Sequence, residues 1–381
     1  VSDNLPSADL EDAAPVTILS RLKALPRAAV GAVAGSELAS LLVSRFLLAI
    51  PLLLGVSLLT FGALRLAAGD QLIARLGDRA NSPEIVAQLR EELGLNDPFF
   101  VQYFRYLRRV VWEFDFGRSW TRPEPVGQAL RQRFPATLEL TLAAMLVAVG
   151  LGLAAGIIAA RRPNTMADWA SMSAALLGLS IPVFWLGLML AWIFAVKLQW
   201  LPLSHRLPSA LDGSFQPITG LHVIDGLLLR RWDVAGAALR HLCLPALTVG
   251  TISAALIARM TRASMLEVAS QDYVRTARAK GLSNIRVTRH IFRNAIIPIV
   301  TVIGLQLGAL LGGAIVTETI FSWDGLGKYL VDSILQRDAN AAQGAVLVIT
   351  AAFVGVNALV DAAYVLLDPR ISHRSQRSSG G

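Results

Sequence analysis

The sequence predicts an all-α polytopic membrane protein with six transmembrane helices. Three observations carry that expectation. Of 381 residues, 54% are hydrophobic and only 16% are charged, against about 25% charged in an average soluble chain. Mean hydropathy is +0.54. The apolar residues gather into six runs, at 41–64, 137–160, 170–196, 242–258, 296–321 and 344–367. Each is close to the ~20 residues that a helix needs to cross a bilayer core, the fourth being on the short side. This balance excludes a disordered chain and argues against a water-soluble enzyme.

Residues 1–40 read as a separate N-terminal extension. Its acidic, polar stretch 2–12 is expected to be disordered. Arg21, Lys23 and Arg27 then follow among Leu, Ala and Val, as either a short helix on the membrane surface or an unstructured linker. The first span, 41–65, is interrupted early by Arg45 and is too long for the apolar part of a cleavable signal peptide. A long loop, 66–136, carries Pro98, Phe99, Phe100, Tyr103, Phe104 and Tyr106, which mark it as folded. Residues 137–367 hold the other five spans, at about 137–160, 170–196, 242–261, 296–321 and 344–367, and 368–381 is a basic, Ser/Gly-rich tail.

Pro51, Pro182, Pro245 and Pro298 fall inside spans. In a soluble helix each would cost about 3 kcal/mol. In a membrane bundle neighbours satisfy the freed carbonyls, so these prolines read as kinks. Gly304, Gly308 and Gly312 lie four residues apart and share one face. That face is a packing seam within the bundle, or a surface toward a second subunit or a pore. Asn357 and Asp361 also share a face in the last span. They are either a satisfied polar pair tying helices together or a contact for substrate or ion.

The net charge of +8 decides little by itself, because Lys and Arg divide almost evenly between the two predicted sides. Long loops translocate regardless of charge, so the short ones set orientation. The segment 259–293 carries eight Lys and Arg against Glu267 and Asp272, whereas 322–343 carries Lys328 and Arg337 against Asp324, Asp332 and Asp338. The 259–293 segment and both termini are therefore expected in the cytoplasm. Cys243 is the one cysteine, so no internal disulfide or cysteine-rich metal site exists. The five histidines are scattered, without zinc-ligand spacing. Gly327-Lys328 is followed by Tyr329 where a phosphate-binding loop needs Ser or Thr. No catalytic residue and no metal ligand is assigned, and the chain shows no means of hydrolysing ATP.

The basic loop is the most informative segment. It reads Asp-Tyr-Val-Arg-Thr-Ala-Arg-Ala-Lys-Gly over 272–281, then Leu-Ser at 282–283, and ends His-Ile-Phe-Arg-Asn-Ala-Ile-Ile-Pro at 290–298. Asp272 suits the start of a short helix, Arg278 and Lys280 suit its end, and Gly281 suits a left-handed stop. Ser283 then caps a second amphipathic helix with apolar contacts from Ile285, Ile291 and Phe292, giving a helix–turn–helix elbow.

This loop resembles the coupling loop of type I ABC importer permeases, in the form carried by the dipeptide/oligopeptide/nickel permease family. It departs from the generic importer pattern where Arg275, Thr276 and Ala277 replace Glu-Ala-Ala, as is usual in the peptide branch. The resemblance continues through Ile-Pro-Leu-Leu-Leu-Gly-Val-Ser (50–57), Arg-Leu-Ala-Ala-Gly-Asp (65–70, with Ala68 where the family has Pro) and Leu-Gly-Leu-Asn-Asp-Pro (93–98). It includes Asp-Phe-Gly-Arg-Ser (115–119), Pro-Ala-Thr-Leu-Glu-Leu (135–140), Gly-Leu-Ser-Ile-Pro-Val-Phe-Trp-Leu-Gly (178–187) and His-Leu-Cys-Leu-Pro-Ala-Leu-Thr (241–248). It closes on Glu-Thr-Ile-Phe-Ser-Trp-Asp-Gly-Leu-Gly (318–327, with Asp324 where Pro is common) and Asp-Pro-Arg-Ile (368–371). The long first loop is similar to that of the B-type subunit. Residues 1–40 lie outside the resemblance.

The resemblance implies the type I ABC importer permease fold with a cytoplasmic coupling helix, in a bacterial plasma (inner) membrane. It implies one half of a pathway for di- or oligopeptides or a related small solute. The partners would be a C-type permease, two cytosolic ATPase subunits or domains using ATP and Mg, an extracytoplasmic binding protein and membrane lipid, with no nucleic acid. Asp272, Tyr273, Arg275, Thr276, Ala277, Arg278, Ala279, Lys280 and Gly281 would form the element seated in the ATPase. The loop 66–136 would touch the binding protein or gate the entrance, or else serve as a packed lid. The rival readings are a secondary carrier or channel without ATPase partners and a membrane-bound enzyme. The first fits poorly with so few membrane carboxylates, and the second lacks a cluster of His, Asp or Glu at one depth.

Overall fold

A computed structural model of the chain describes residues 27–67, 84, 87, 91 and 96–367. The expectations for 1–26, for most of 68–95 and for the 368–381 tail lie outside the described residues. Among those, regular structure is helical, with one isolated bridge between Arg118 and Pro125. The helices are α1 (Arg27–Ala67), α2 (Phe99–Arg108), α3 (Val126–Arg161), α4 (Met166–Ser180), α5 (Val183–Leu190), α6 (Ser209–Asp212), α7 (His222–Leu228), α8 (Trp232–Ala269), α9 (Asp272–Ala279), α10 (Asn284–Ile320), α11 (Leu326–Leu335) and α12 (Ala339–Leu367). π-helical turns at Arg109–Glu113 and Ala191–Lys197 extend α2 and α5.

Among the described residues, five spans are single helices long and apolar enough to cross a membrane: Leu42–Arg65 of α1, α3, α8, α10 and Ala339–Ala363 of α12. The expected third span is different. Met166–Ser180 and Val183–Lys197 meet at a bend of 107°, so Pro182 breaks the helix where a kink was expected. A residue before proline is pushed out of the helical region, and Ile181 is extended at φ −81°, ψ 128°. The chain restarts at once, with Leu186 N–H donating to the Pro182 carbonyl at 3.0 Å. Pro51, Pro245 and Pro298 stay inside unbroken helices.

Most helices begin well before the apolar run that announced them. Residues 27–40 are neither a separate surface helix nor a linker, since α1 runs unbroken from Arg27. The first turns of α3 bury Val126, Ala129 and Leu130 against Leu326, Tyr329, Ala341 and Ala345. The start of α8 buries Val234 and Ala238 against Leu207 and Phe215. The expected second amphipathic helix is the first part of α10, whose inward face is Val287, Ile291 and Ala295. Ile285, expected on that face, points outward at 74% exposure. These segments are amphipathic, with helical spacing but average hydropathy, so a search for continuous apolar runs passes over them.

The chain divides into two compact units, Leu47–Val360 and the described parts of Val1–Phe46 with Asp361–Gly381. In the larger unit, α3 and α8 share the most extensive interface, with α10 and α4 flanking α8. Glycines make that interface. A Cβ added to Gly152 would lie 2.8 Å from the Ala254 carbonyl oxygen, and one on Gly156 would lie 2.6 Å from that of Ala258. On the facing helix, a Cβ on Gly250 would come within 2.6 Å of the Ala144 carbonyl oxygen. The seam expected along Gly304, Gly308 and Gly312 is shorter. Gly308 faces Asn357, while nothing lies within 4 Å of a Cβ on Gly312. In the smaller unit, Arg45 Nε pairs with Asp361 Oδ2 at 2.9 Å.

The seam yields a direct expectation. Gly156→Leu forces α3 off α8 and destabilises the protein by about 1–3 kcal/mol, read as a lower unfolding midpoint in detergent. Gly150→Leu, at a position with open space around it, leaves that midpoint near wild type.

Candidate functional site

The basic loop folds as α9, held by one buried side chain and one hydrogen bond. Val274 is 1% exposed and packs with Met265 and Val268 at the end of α8 and with Val287 and Ile291 on α10. Asn294 Nδ2 donates to the Tyr273 hydroxyl at 2.6 Å, a second tie to α10. Thr276 Oγ1 donates to the Asp272 carbonyl at 3.1 Å. Ala277 is half-buried, while Asp272, Tyr273, Arg275, Thr276, Arg278, Ala279, Lys280 and Gly281 are exposed. Arg275 reaches Asp272 at 3.6 Å, with both side chains in solvent, so this pair adds little. Arg278 and Lys280 have no ion-pair partner among the described residues. On the first turns of α10, Arg286, Arg289 and Arg293 extend the same exposed positive surface.

The helix stops at Gly281, whose φ is +75°. Gly281 N–H donates to the Arg278 carbonyl at 2.9 Å, and Leu282 N–H to that of Ala277 at 3.3 Å. A Cβ at Gly281 would meet nothing within 4 Å, so backbone conformation rather than crowding calls for glycine there. Ser283 is the N-cap of α10, but its side chain makes no capping bond. Near this end, Arg262 of α8 grips Asp168 of α4 through two hydrogen bonds of 2.7 Å. Asp168 also accepts from Asn164 N–H at 2.9 Å. The grip ties the first half of the broken span to the helix that leads into α9.

At the opposite end of the bundle, buried carboxylates organise the loops. Glu318, fully buried on α10, accepts from Thr137 Oγ1 at 2.7 Å and from Lys328 N–H at 3.0 Å. Thr137 in turn accepts from Leu326 N–H at 2.8 Å. Trp323 Nε1 donates to the Ala136 carbonyl at 2.9 Å. Glu139, two residues along α3 from Thr137, accepts from Arg206 Nη2 at 2.6 Å and from Val223 N–H at 2.8 Å. Asp338, 1% exposed, accepts from the Ser119 hydroxyl, from Trp120 N–H at 2.9 Å and from Ala341 N–H at 3.1 Å. Tyr329 lies beneath the guanidinium groups of Arg122 and Arg133, at 5.3 and 4.7 Å from its ring centre. Burial, then the Asp338 charge, pushes its phenol up to about 12.

The last-span residues go to separate neighbours. Asp361 meets Arg45 of α1, and Asn357 sits against Gly308 of α10. In the loop 66–136, α2 buries Tyr103 and Tyr106, and Phe61 of α1 contacts both rings. Tyr103 and Ser57 share a 2.7 Å hydrogen bond. Phe100 and Phe104 remain 65% exposed.

The family described as binding-protein-dependent transport system inner membrane component matches residues 152–373. Its N-terminal companion matches 38–141. The chain belongs to this family. Among its relatives is the di/tripeptide transport system permease protein DppB of Pseudomonas aeruginosa (strain UCBPP-PA14), 46% identical over 88% of this chain and 99% of the relative. The dipeptide transport system permease protein DppB of Alkalihalophilus pseudofirmus is 44% identical over 86% of this chain and 98% of the relative. That of Escherichia coli K12 is 44% identical over 86% and 97%. The fold is accordingly that of a type I ABC importer permease, and the chain is a multi-pass inner-membrane protein.

Within this family fold, residue patterns alone had missed several members of both sites. Val274 stood unremarked among the charges around it, although an isolated apolar residue in a polar helix is the signal for an anchor. Glu139 and Glu318 lie at the edge of apolar runs, a position that marks buried acids needing donors. Arg206 and the segment 198–231 carry no apolar run of membrane-spanning length and so give no local signal.

Glu318→Ala strips the acceptor from Lys328 N–H and a partner from Thr137, at about 1–3 kcal/mol for each group left unsatisfied. The expected result is a lower unfolding midpoint in detergent together with faster tryptic cleavage after Lys328.

Proposed function

We propose that this chain is one permease half of an ATP-driven importer of short peptides, taking no part in ATP chemistry itself. The observation that carries this reading is α9: a short, positively charged helix, presented outward and anchored at the junction of α8 and α10 by buried Val274, with Tyr273 tied to Asn294. Such an element fits a cleft with an acidic rim on a partner that moves. Electrostatic complementarity of that kind sets partner choice and register. The relatives named for dipeptide and di/tripeptide transport, matched over nearly their full length, support the cargo class.

In this reading α9 and both termini face the cytoplasm. The partners are a second permease of related sequence, two ATPase subunits that use ATP and Mg, and an extracytoplasmic binding protein. Closure of the ATPase pair on ATP displaces α9. Because Val274 packs on both α8 and α10, the displacement reaches two spans together. The bundle then switches between its inward- and outward-open states as a rigid-body device. The loop holding α2 serves as the docking face for the binding protein.

Two measurements test this. Gentle extraction of the tagged chain from its own host is expected to recover ATPase subunits, and their absence would count heavily against the reading. Gly281→Pro removes an N–H that bonds Arg278 and imposes a φ opposite in sign to the one observed. The variant complex is expected to insert and hydrolyse ATP while ATP-driven peptide uptake falls to background. Uptake at the wild-type rate would show that the α9 stop plays no part in coupling.

A further inference from the structure

Between the first two spans, α2 and its π-helical turn sit lower against the bundle than a surface loop would. Phe61 of α1 fixes the level. Its ring meets those of Phe99, Tyr103 and Tyr106 at 5.4, 5.6 and 5.8 Å between centres, so α2 crosses α1 there. Phe61 lies four residues before Arg65, the end of the apolar stretch, and so about 6 Å below it along the helix axis. Tyr103 reaches deeper. Its hydroxyl donates to the Leu54 carbonyl at 3.0 Å and shares a 2.7 Å hydrogen bond with Ser57, about 12 Å below Arg65. A second span gives the depth independently. Leu347 of α12 packs on the cluster of Tyr103, Tyr106 and Val110, about 12 Å inside the start of its span at Ala339. Both spans therefore place this short helix beneath the membrane surface, at the end of the bundle away from α9.

The side chains of α2 fall into three rows. Tyr103 and Tyr106 turn inward. Phe100 and Phe104, four residues apart and so on one side of the helix, are largely exposed. Arg105 and Arg108, three residues apart, form a separate exposed row. Val111, Trp112 and Phe114 prolong the outward apolar side, with Trp112 at 79% exposure. A run of large apolar side chains open to water is rare without a surface to meet it. Large apolar residues on one side and arginines on another are the pattern of a helix lying in a membrane interface, about 5–10 Å into the boundary of headgroups and acyl chains. The level of Phe61 falls within that range. Tryptophan is favoured at such a depth, and arginine can extend from it to the headgroups. The surrounding surface has the same character, because α1 and α12 are the least buried of the five unbroken spans.

We propose that α2 and its π-helical turn form a membrane-embedded interfacial helix, with Phe100 and Phe104 among the acyl chains of the leaflet away from α9 and with Arg105 and Arg108 toward the phosphodiester headgroups. The long loop 66–136 is then not wholly outside the bilayer, and its middle is a lipid anchor. Contact with a binding protein belongs to other parts of that loop, so this inference and the importer reading stand or fall separately.

The test uses the full chain with Cys243→Ala, so that a single introduced cysteine carries a nitroxide. The labelled chain is assembled with its partner subunits in nanodiscs of phosphatidylethanolamine and phosphatidylglycerol. Power-saturation EPR then reads collisions of the nitroxide with oxygen, which concentrates among acyl chains, and with a water-soluble nickel chelate. The label of Phe104→Cys is expected to be open to oxygen and to lose the nickel contact that the label of Arg105→Cys keeps. Arg105 suits the comparison because its exposed 2.6 Å pair with Asp97 adds little to stability. A label at 104 as open to nickel as the one at 105 would place α2 in water and overturn the proposal. Loss of both collisions at 104 would place a protein surface over Phe104, that of a partner permease included, and overturn it equally. Loss of nickel contact at 105 as well would overturn the assignment of the arginine row to the headgroups. Should Phe104→Cys not assemble, Phe100→Cys takes its place with the same expected result.

Discussion

The close crossing of α3 and α8 sets the positions from which both ends of the molecule are built. Inside a bilayer, helices gain no hydrophobic energy by leaving lipid for one another, and packing has to hold them. Gly152, Gly156 and Gly250 bring backbone to backbone, and the register so set reaches in two directions. Along α3 it places Thr137 and Glu139 under the loops at one end. Along α8 it places Arg262 opposite Asp168, and then Met265 and Val268 under Val274. A one-residue slip at the seam would turn both sets of groups away from their partners.

The loops beyond the seam have no sheet ladder to satisfy their backbone, and buried carboxylates take that role. Asp338 and Asp168 accept main-chain N–H groups from the loops at Trp120 and Asn164, and Glu318 and Glu139 accept them from the first turns of α11 and α7, at Lys328 and Val223. All four also bind a side chain from a different helix or loop: Thr137 for Glu318, Arg206 for Glu139, Arg262 for Asp168 and the Ser119 hydroxyl for Asp338. An acid of this kind earns its burial only when all its acceptors are used, which makes each node cooperative and sensitive to loss of one partner.

The helical class, five of the six expected spans and the position of the short basic helix were legible from the residues, because run length, a charge cluster and Gly281 are local signals. Helix lengths were not. The starts of α3, α8 and α10 are amphipathic, and their inward faces exist only because Tyr329, Phe215 and Val274 are there to meet them. Pro182 and Pro245 look alike in sequence, yet one breaks a helix and the other lies inside one; that choice belongs to the neighbouring packing. The carboxylate nodes were unreadable for a related reason. Thr137 and Glu318 are far apart in the chain, and nothing local says that one will donate to the other.

Helix α10 runs without interruption for 37 residues, a length of about 55 Å at 1.5 Å per residue. Its first turns rest on the same apolar cluster as α9, and its last turn carries the Glu318 carboxylate that fastens the first turn of α11. One stiff rod therefore joins a pivot at one membrane surface to a clasp at the other. Leverage follows from those proportions: a small tilt about Val274 becomes a larger sideways throw at Glu318. Pro298, within the first half of the rod, is the place where such a throw would be absorbed rather than passed on.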